Sequence, residues 1–304
     1  MIEFFYHHSL NALGSWGDIN FPILSIIKNS KKEITQIITL NVINTKNNQS
    51  VYGLDDVVGF YSGQSDLQKP EATILNELRK ELPTMRMLDI GVGAGRTTTD
   101  FAVLAKEYLG IDYSDKMINV CLEKFRNYPE KISFLTADAR TMKLFKDNSF
   151  DFVLFSFNGI DYMDHEERVK TLLEIRRIIS KGGYFCFSTH NLNFLLKKCS
   201  IQLSKHPTIL ASRVFELLQM RLLNKKEAWT AIRNPLRNAK HAMVNDGAMD
   251  FRLKTYYITP TEQLKQLSEL GYASTKMYSL TSGREINNPN NSVDNWIYYL
   301  SQIP

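Results

Sequence analysis

The sequence predicts an α/β protein, a doubly wound and mostly parallel seven-stranded sheet with an antiparallel terminal strand, a helical lid insertion and a small N-terminal β appendage. Three observations carry this. First, Arg86 to Thr98 reads RMLDIGVGAGRTT: an apolar run (Met87, Leu88, Ile90), interrupted by Asp89, flows into Gly91, Gly93 and Gly95 and a helical stretch through Ala105. A strand, a glycine turn and a helix start form the first unit of nucleotide-binding sheets, where glycines let a ligand approach the backbone. Second, four more strand-like runs follow at Tyr108 to Tyr113, Ile132 to Ala139, Phe150 to Phe157 and Lys181 to His190. The Phe150 run is almost wholly apolar, as a strand buried on both faces should be. Third, Val169, Leu172, Leu173, Ile175 and Ile179 recur at helical spacing, which predicts a helix from Glu166 to Ile179 packed on the sheet.

From the start of the chain, residues 1–53 read as a β-rich appendage. Phe21 to Ile27 and Ile34 to Ile43 are rich in isoleucine and threonine, and the polar cluster TKNNQS follows. Such strands rarely stand alone, so the appendage either pairs with a second copy as a homodimer, covers the substrate entrance or packs on the core. Leu54 to Leu78 gives a loop and an amphipathic helix, with Pro70 and Glu71 suited to its first turn.

The glycine spacing narrows the ligand. A dinucleotide site uses G-x-G-x-x-G with the helix start facing a pyrophosphate. Here the spacing is G-x-G-x-G, and Asp89 stands two residues ahead of the first glycine. A carboxylate there repels a pyrophosphate and attracts an ammonium group, which S-adenosylmethionine carries. Asp112 closes the second run roughly twenty residues on, where such folds hold a ribose.

In the order LDIGVGAG, GIDYS followed by DKMI, ADAR, FDFVLFSFNGID and ISKGGYF, the chain resembles the class I S-adenosylmethionine-dependent methyltransferases, in their small-molecule branch. These have a Rossmann-like fold. The resemblance covers Leu54 to Phe187, under half of the chain. It implies that Asp89, Gly91 and Gly93 hold the methionine end of the cofactor and Asp112 its ribose, with Tyr113 beside it and Met117 by the adenine. It assigns the adenine amino group to Asp138, with Ala139 nearby, and places Phe157 and Asn158 between cofactor and acceptor. Tyr61 either closes over the cofactor, as an aromatic of this segment does in similar enzymes, or is a core tyrosine. The family often has Cys or Gly where Val92 stands and Thr or Pro where Ala94 stands; neither departure removes a needed group.

Asn158, Asp161 and Tyr162 fall at the carboxyl end of the sheet, where ligands of open α/β folds bind. An N-P-P-Y motif is absent, which argues against a DNA adenine or glutamine acceptor. His190 closes the fifth strand, and an imidazole suits proton removal near neutrality. It is the candidate general base or acceptor-orienting group, with Asp161 and Tyr257 as the other candidate catalytic residues. The alternative is a histidine that ties strand to loop.

Residues 192–250 read as a lid insertion. From Leu192 to Lys240 ten basic residues face two acids, a net of +8 against +5 for the whole chain. Leu210, Val214, Leu217, Leu218 and Leu222 recur at helical spacing. A basic lid suits an anionic acceptor; a solvated lysine face, RNA or an anionic membrane are the other readings. Residues 251–304 complete the sheet. Tyr256 and Tyr257 lie on a strand, one facing in and one out, and Thr259, Pro260 and Glu262 open a helix as a capping box that Gly271 ends. Tyr272 to Leu280 and Trp296 to Ser301 form the terminal strand pair.

The apolar share, 43%, is ordinary for a globular protein. Cys121, Cys186 and Cys199 form no C-x-x-C pair, which fits reduced thiols in a cytoplasmic protein without a metal site. No signal peptide is visible, and no apolar run approaches the roughly 18 residues that cross a bilayer. The expected activity is methyl transfer from S-adenosylmethionine to an O, N or C atom of a small, anionic acceptor. An RNA methyltransferase and a non-catalytic cofactor-binding scaffold are the alternatives.

Overall fold

The structure is a computed structural model, and it describes residues 54–198, 238–248, 253–292 and 294–304. All of them belong to the compact unit Asn44–Pro304. The expected appendage, residues 1–53, lies outside the described residues, as do 199–237 and 249–250 of the expected lid and 251–252 of the expected C-terminal segment.

The chain opens with α1 (Asp55–Ser62) and α2 (Lys69–Leu78). Gln68 and Glu71 close a reciprocal capping box at the start of α2, with Pro70 in its first turn. β1 (Arg86–Ile90) leads through the glycine turn to α3 (Thr98–Phe101), then β2 (Glu107–Asp112), α4 (Asp115–Lys124), β3 (Ile132–Thr136) and β4 (Phe150–Phe155). The helix after the glycines is one turn long rather than running to Ala105. Thr97 and Thr98 there spend their hydroxyls on Asp89 and Tyr108. α5 (His165–Ile178), β5 (Ile179–Asn191) and α6 (Leu192–Lys198) follow, then β6 (His241–Val244), β7 (Thr255–Ile258), α7 (Pro260–Glu269), β8 (Ala273–Ser279) and β9 (Trp296–Gln302).

β3, β2, β1, β4 and β5 lie side by side and parallel, and β9 and β8 continue the sheet antiparallel from β5. That is the doubly wound arrangement expected, with two strands more. β7 pairs parallel with His190 and Asn191, and β6 pairs antiparallel with β7. His190 also pairs with Trp296 of β9, so β7 takes the opposite edge of β5, beyond Phe187 where β4 stops.

Strand alternation sends Leu88, Ile90, Val153 and Phe185 to one face, under Leu172, Ile175 and Ile178 of α5 and Leu267 of α7. Met87, Phe152, Leu154 and Cys186 face Ile74, Leu75 and Leu78 of α2 on the other. β4 is therefore covered on both sides. In α5 the buried stripe is Arg168, Thr171, Leu172, Ile175 and Ile178; Leu173, expected against the sheet, is 48% exposed because it falls outside that stripe. At α7, Thr259 accepts from the Glu262 amide, but the Glu262 carboxylate pairs with Lys240 instead of returning to the cap. Tyr256 and Tyr257 do point to opposite faces, yet both are buried: α5 covers one, and Asp246 and His190 cover the other.

Candidate cofactor site

A cavity of about 390 Å³ opens at the carboxyl ends of β1, β2 and β4. Its glycine wall explains its shape. Gly93 has φ +54° and nothing within 4 Å of where a side-chain carbon would project, so that space is left to a ligand. Gly95, with φ +77°, has the Phe125 ring 2.3 Å from the same position, so it serves packing.

Asp89 lines the cavity and is almost fully buried. Its carboxylate accepts hydrogen bonds from Thr97 Oγ1 (2.5 Å) and Tyr108 Oη (2.8 Å). Burial pushes its pKa up to about 6, and the two neutral hydroxyls only partly offset this. A buried carboxylate held by neutral donors is a site for a cation. At the end of β2, Asp112 Oδ2 accepts from the Gly93 amide (3.0 Å) and Oδ1 from Ser114 N (2.9 Å). Burial raises this carboxyl too, against those backbone bonds. Gly91, Tyr113, the buried Met117 of α4 and Ala139 line the same cavity. Burial raises the Tyr113 hydroxyl and keeps it protonated.

Asp138, expected to take an adenine amine, also lines the wall but is already paired: Arg140 grips it at 2.6 Å and reaches Glu167 of α5 at 2.8 Å. Burial raises the Asp138 pKa, and the Arg140 hydrogen bonds outweigh it and hold the carboxyl below its ordinary value. The Arg140 amide, Nε and Nη2 all donate to its two oxygens, so about one acceptor site is left for a further donor. Tyr61, at the end of α1, and Phe157 meet edge to face at 6.2 Å on the cavity wall.

The expected catalytic residues sit elsewhere. Asp161 is fully buried and accepts from Arg168 Nη1 and Thr189 Oγ1 (both 2.6 Å), from the His190 amide (2.7 Å) and, through Oδ2, from His190 Nδ1 (2.8 Å). His190 is 7% exposed, and the Tyr257 ring lies 5.1 Å from its own, with the phenol donating to Asp246 at 2.6 Å. Burial raises the Tyr257 hydroxyl well above its ordinary range. The structure thus brings Asp161, His190 and Tyr257 together behind the Phe157–Asn158 corner, outside the cavity lining. Asn158 also lies behind that wall, with its side chain towards His190.

Sequence reasoning missed three features. Arg96 lines the cavity and pairs with the fully buried Glu71 at 2.6 Å, while Glu71 also accepts from Ser156 and from Tyr298 Oη (2.6 Å). Arg168, fully buried between the Phe187 and Tyr256 rings, anchors Asp161. Met243 and Lys254, from β6 and the stretch before β7, complete the wall. An arginine directly after the third glycine was a visible signal for the first; pairings between distant segments have none. Among the described residues no group of three or more His, Cys, Asp or Glu is arranged to hold a metal, and no helix is long and apolar enough to cross a membrane.

A family model described as a methyltransferase domain matches residues 87–183. The uncharacterized methyltransferase YcgJ of Bacillus subtilis is 28% identical over 106 residues, 34% of this chain and 40% of that protein. Demethylmenaquinone methyltransferase of Renibacterium salmoninarum is 33% identical over 102 residues, again 34% of this chain and 40% of the relative. The chain thus spans less than half the length of these curated relatives. Among solved structures, the Burkholderia thailandensis 1,6-didemethyltoxoflavin-N1-methyltransferase, with 1,6-didemethyltoxoflavin and S-adenosylhomocysteine bound, has the same fold at a TM-score of 0.53 and 11% identity, over 95% of this chain and 93% of that one. The match falls on the strands and the glycine turn that build the cavity, so this part of the chain is similar to methyltransferase domains.

Proposed function

We propose that this protein transfers a methyl group from S-adenosylmethionine to an O, N or C atom of a small, anionic acceptor. The observation that carries the reading is the convergence of Asp89, the open backbone at Gly93 and Asp112 on one cavity. Asp89 takes the ammonium of the cofactor's methionine end, the backbone at Gly91 and Gly93 lets that end approach, and Asp112 takes the ribose hydroxyls. Tyr113, Met117 and Ala139 flank the base, and Asp138 takes its amine beside Arg140. Tyr61 and Phe157 exclude water on the acceptor side.

Bound there, the cofactor supplies a methyl on a sulfonium: the acceptor's lone pair makes the new bond to carbon, the carbon–sulfur pair returns to sulfur, and the acceptor sheds one proton. Because the methyl is already activated, the protein contributes alignment, water exclusion and a place for that proton. We assign that place to His190, which Asp161 holds behind the Phe157–Asn158 corner of the cavity wall, with Tyr257 packed beside it.

Of the acids on the wall, Asp89, Asp112 and Asp138 serve the cofactor, while Asp164 and Glu167 cap α5 and Glu167 pairs with Arg140. Lys254 on the cavity wall and the +8 stretch from Leu192 to Lys240 support an anionic acceptor. The test is a screen of acidic metabolites, sugar nucleotides, neutral analogues and RNA for release of S-adenosylhomocysteine. Turnover confined to small anions supports the reading. Turnover on RNA, falling steeply with salt, or on neutral molecules alone would overturn it.

A further inference from the structure

At the end of β4 two consecutive non-glycine residues are left-handed: Phe157 at φ +54° and Asn158 at φ +60°. A phenylalanine rarely adopts this conformation, although an asparagine does so more readily, so the surroundings must hold the corner. The Asn158 amide donates to Ser188 Oγ (2.8 Å), and its carbonyl accepts from Asp161 N (2.9 Å). The side chain is less well served. It is 3% exposed, its Nδ2 lies 3.5 Å from His190 Nε2, and its Oδ1 has no hydrogen-bond partner. A buried amide oxygen left unpaired is costly, and such groups call for an explanation.

The other side of the imidazole supplies one. His190 Nδ1 lies 2.8 Å from Asp161 Oδ2, and an ionised carboxylate only accepts, so the ring proton sits on Nδ1. Nε2 then presents a lone pair, and Asn158 Nδ2 donates to it over a long distance. When Nε2 gains a proton it becomes a donor facing a donor. Half a turn of the amide brings the orphaned Oδ1 opposite the new N–H and replaces a weak neutral contact with a charge-assisted one.

We propose that Asn158 is a positioning residue for proton uptake by His190: its amide turns to offer Oδ1 to Nε2 as the ring accepts the proton shed by the methyl acceptor. This rests on the reading of His190 under the proposed function. The proton fills the Nε2 lone pair, and the positive ring faces Asp161. Arg168, buried behind Asp161, and the Thr189 hydroxyl both donate to its Oδ1 and leave Oδ2 to the ring. The remaining elements around the ring contribute Trp296 of β9, which is uncharged, and Tyr257 of β7, whose phenol is committed to Asp246.

The test is a pH titration of ligand-free protein carrying 15N-labelled histidine, following the two ring nitrogens of His190, with His190→Gln identifying the signals. In Asn158→Leu the ring should take its second proton at lower pH, with about tenfold weaker proton affinity. In the near-isosteric Asn158→Asp it should do so at higher pH. A purely structural asparagine leaves the Asn158→Leu midpoint unmoved, while the charge introduced in Asn158→Asp raises its midpoint in either case. An unchanged midpoint in a folded Asn158→Leu, or shifts of the same sign in both variants, would overturn the proposal. If Asn158→Leu does not fold, Asn158→Ala, which also removes Oδ1, decides. The titration needs no cofactor or acceptor, so a shifted midpoint without cofactor binding would refute the proposed function while leaving the coupling intact.

Discussion

Asp112 Oδ2 accepts a hydrogen bond from the Gly93 amide at 3.0 Å, so the end of the second strand is tied to the glycine turn that follows the first. One carboxylate therefore shapes the turn and keeps acceptor capacity for a ribose. Asp112→Ala should weaken S-adenosylmethionine binding about 10- to 100-fold, the worth of one or two hydrogen bonds to a charged group. Calorimetry measures it; binding as tight as the parent's would contradict the assignment.

Asp89 gives a pH dependence of defined sign. Its pKa in the folded state, about 6, lies above the ordinary 3.8. Its contribution to the stability of the ligand-free protein is present below about pH 4 and lost as pH rises through 6, on the order of 3 kcal/mol. Asp89→Asn should remove that loss. At pH 7.5 the variant should melt no lower than the parent, while its affinity for S-adenosylmethionine falls. Thermal melts across pH 4 to 8, with and without ligand, check both halves.

The Glu71–Arg96 pair behaves in the opposite way. Burial pushes Glu71 upward, but the Arg96 hydrogen bonds and charge, together with the Ser156 and Tyr298 hydroxyls, outweigh it and leave the carboxyl below its ordinary 4.5. The stability it contributes is therefore present above about pH 4.5 and lost as pH falls through the lower folded value. Arg96→Met strands a buried carboxylate and should destabilise the protein by about 3–5 kcal/mol in urea unfolding.

Two glycines separate folding from binding. Gly95→Ala drives a methyl into the Phe125 ring and should lower stability more than Gly93→Ala, where the position is open. Gly93→Ala should leave a folded protein whose cofactor affinity is reduced, because its methyl enters the ligand's space. Melting temperature and calorimetry together read the contrast.

The first five strands were legible because they read as apolar runs followed by glycine, aspartate or asparagine, and each lies within two or three residues of its expected place. Asp89, Asp112 and Asp138 were legible as strand-end carboxylates. That Asp138 is already paired was not, although Arg140 stands two residues on, because the pairing depends on side-chain direction and on Glu167 of a later helix. The β6–β7 pair was only half legible: Tyr256 and Tyr257 mark a strand, but His241 to Val244 carries no alternation strong enough to announce its partner. Asp161 read as a candidate catalytic residue because it stands at a strand end; burial by Arg168, from one helical turn into α5, makes it a support for His190.

The central claim is that this cavity holds S-adenosylmethionine through Asp89 and Asp112. Isothermal titration of the parent, Asp89→Asn and Asp112→Ala with S-adenosylmethionine and S-adenosylhomocysteine tests it most directly. The account predicts saturable binding of both by the parent, weakened in each variant. No binding by a folded parent, or equal binding by all three proteins, would contradict it.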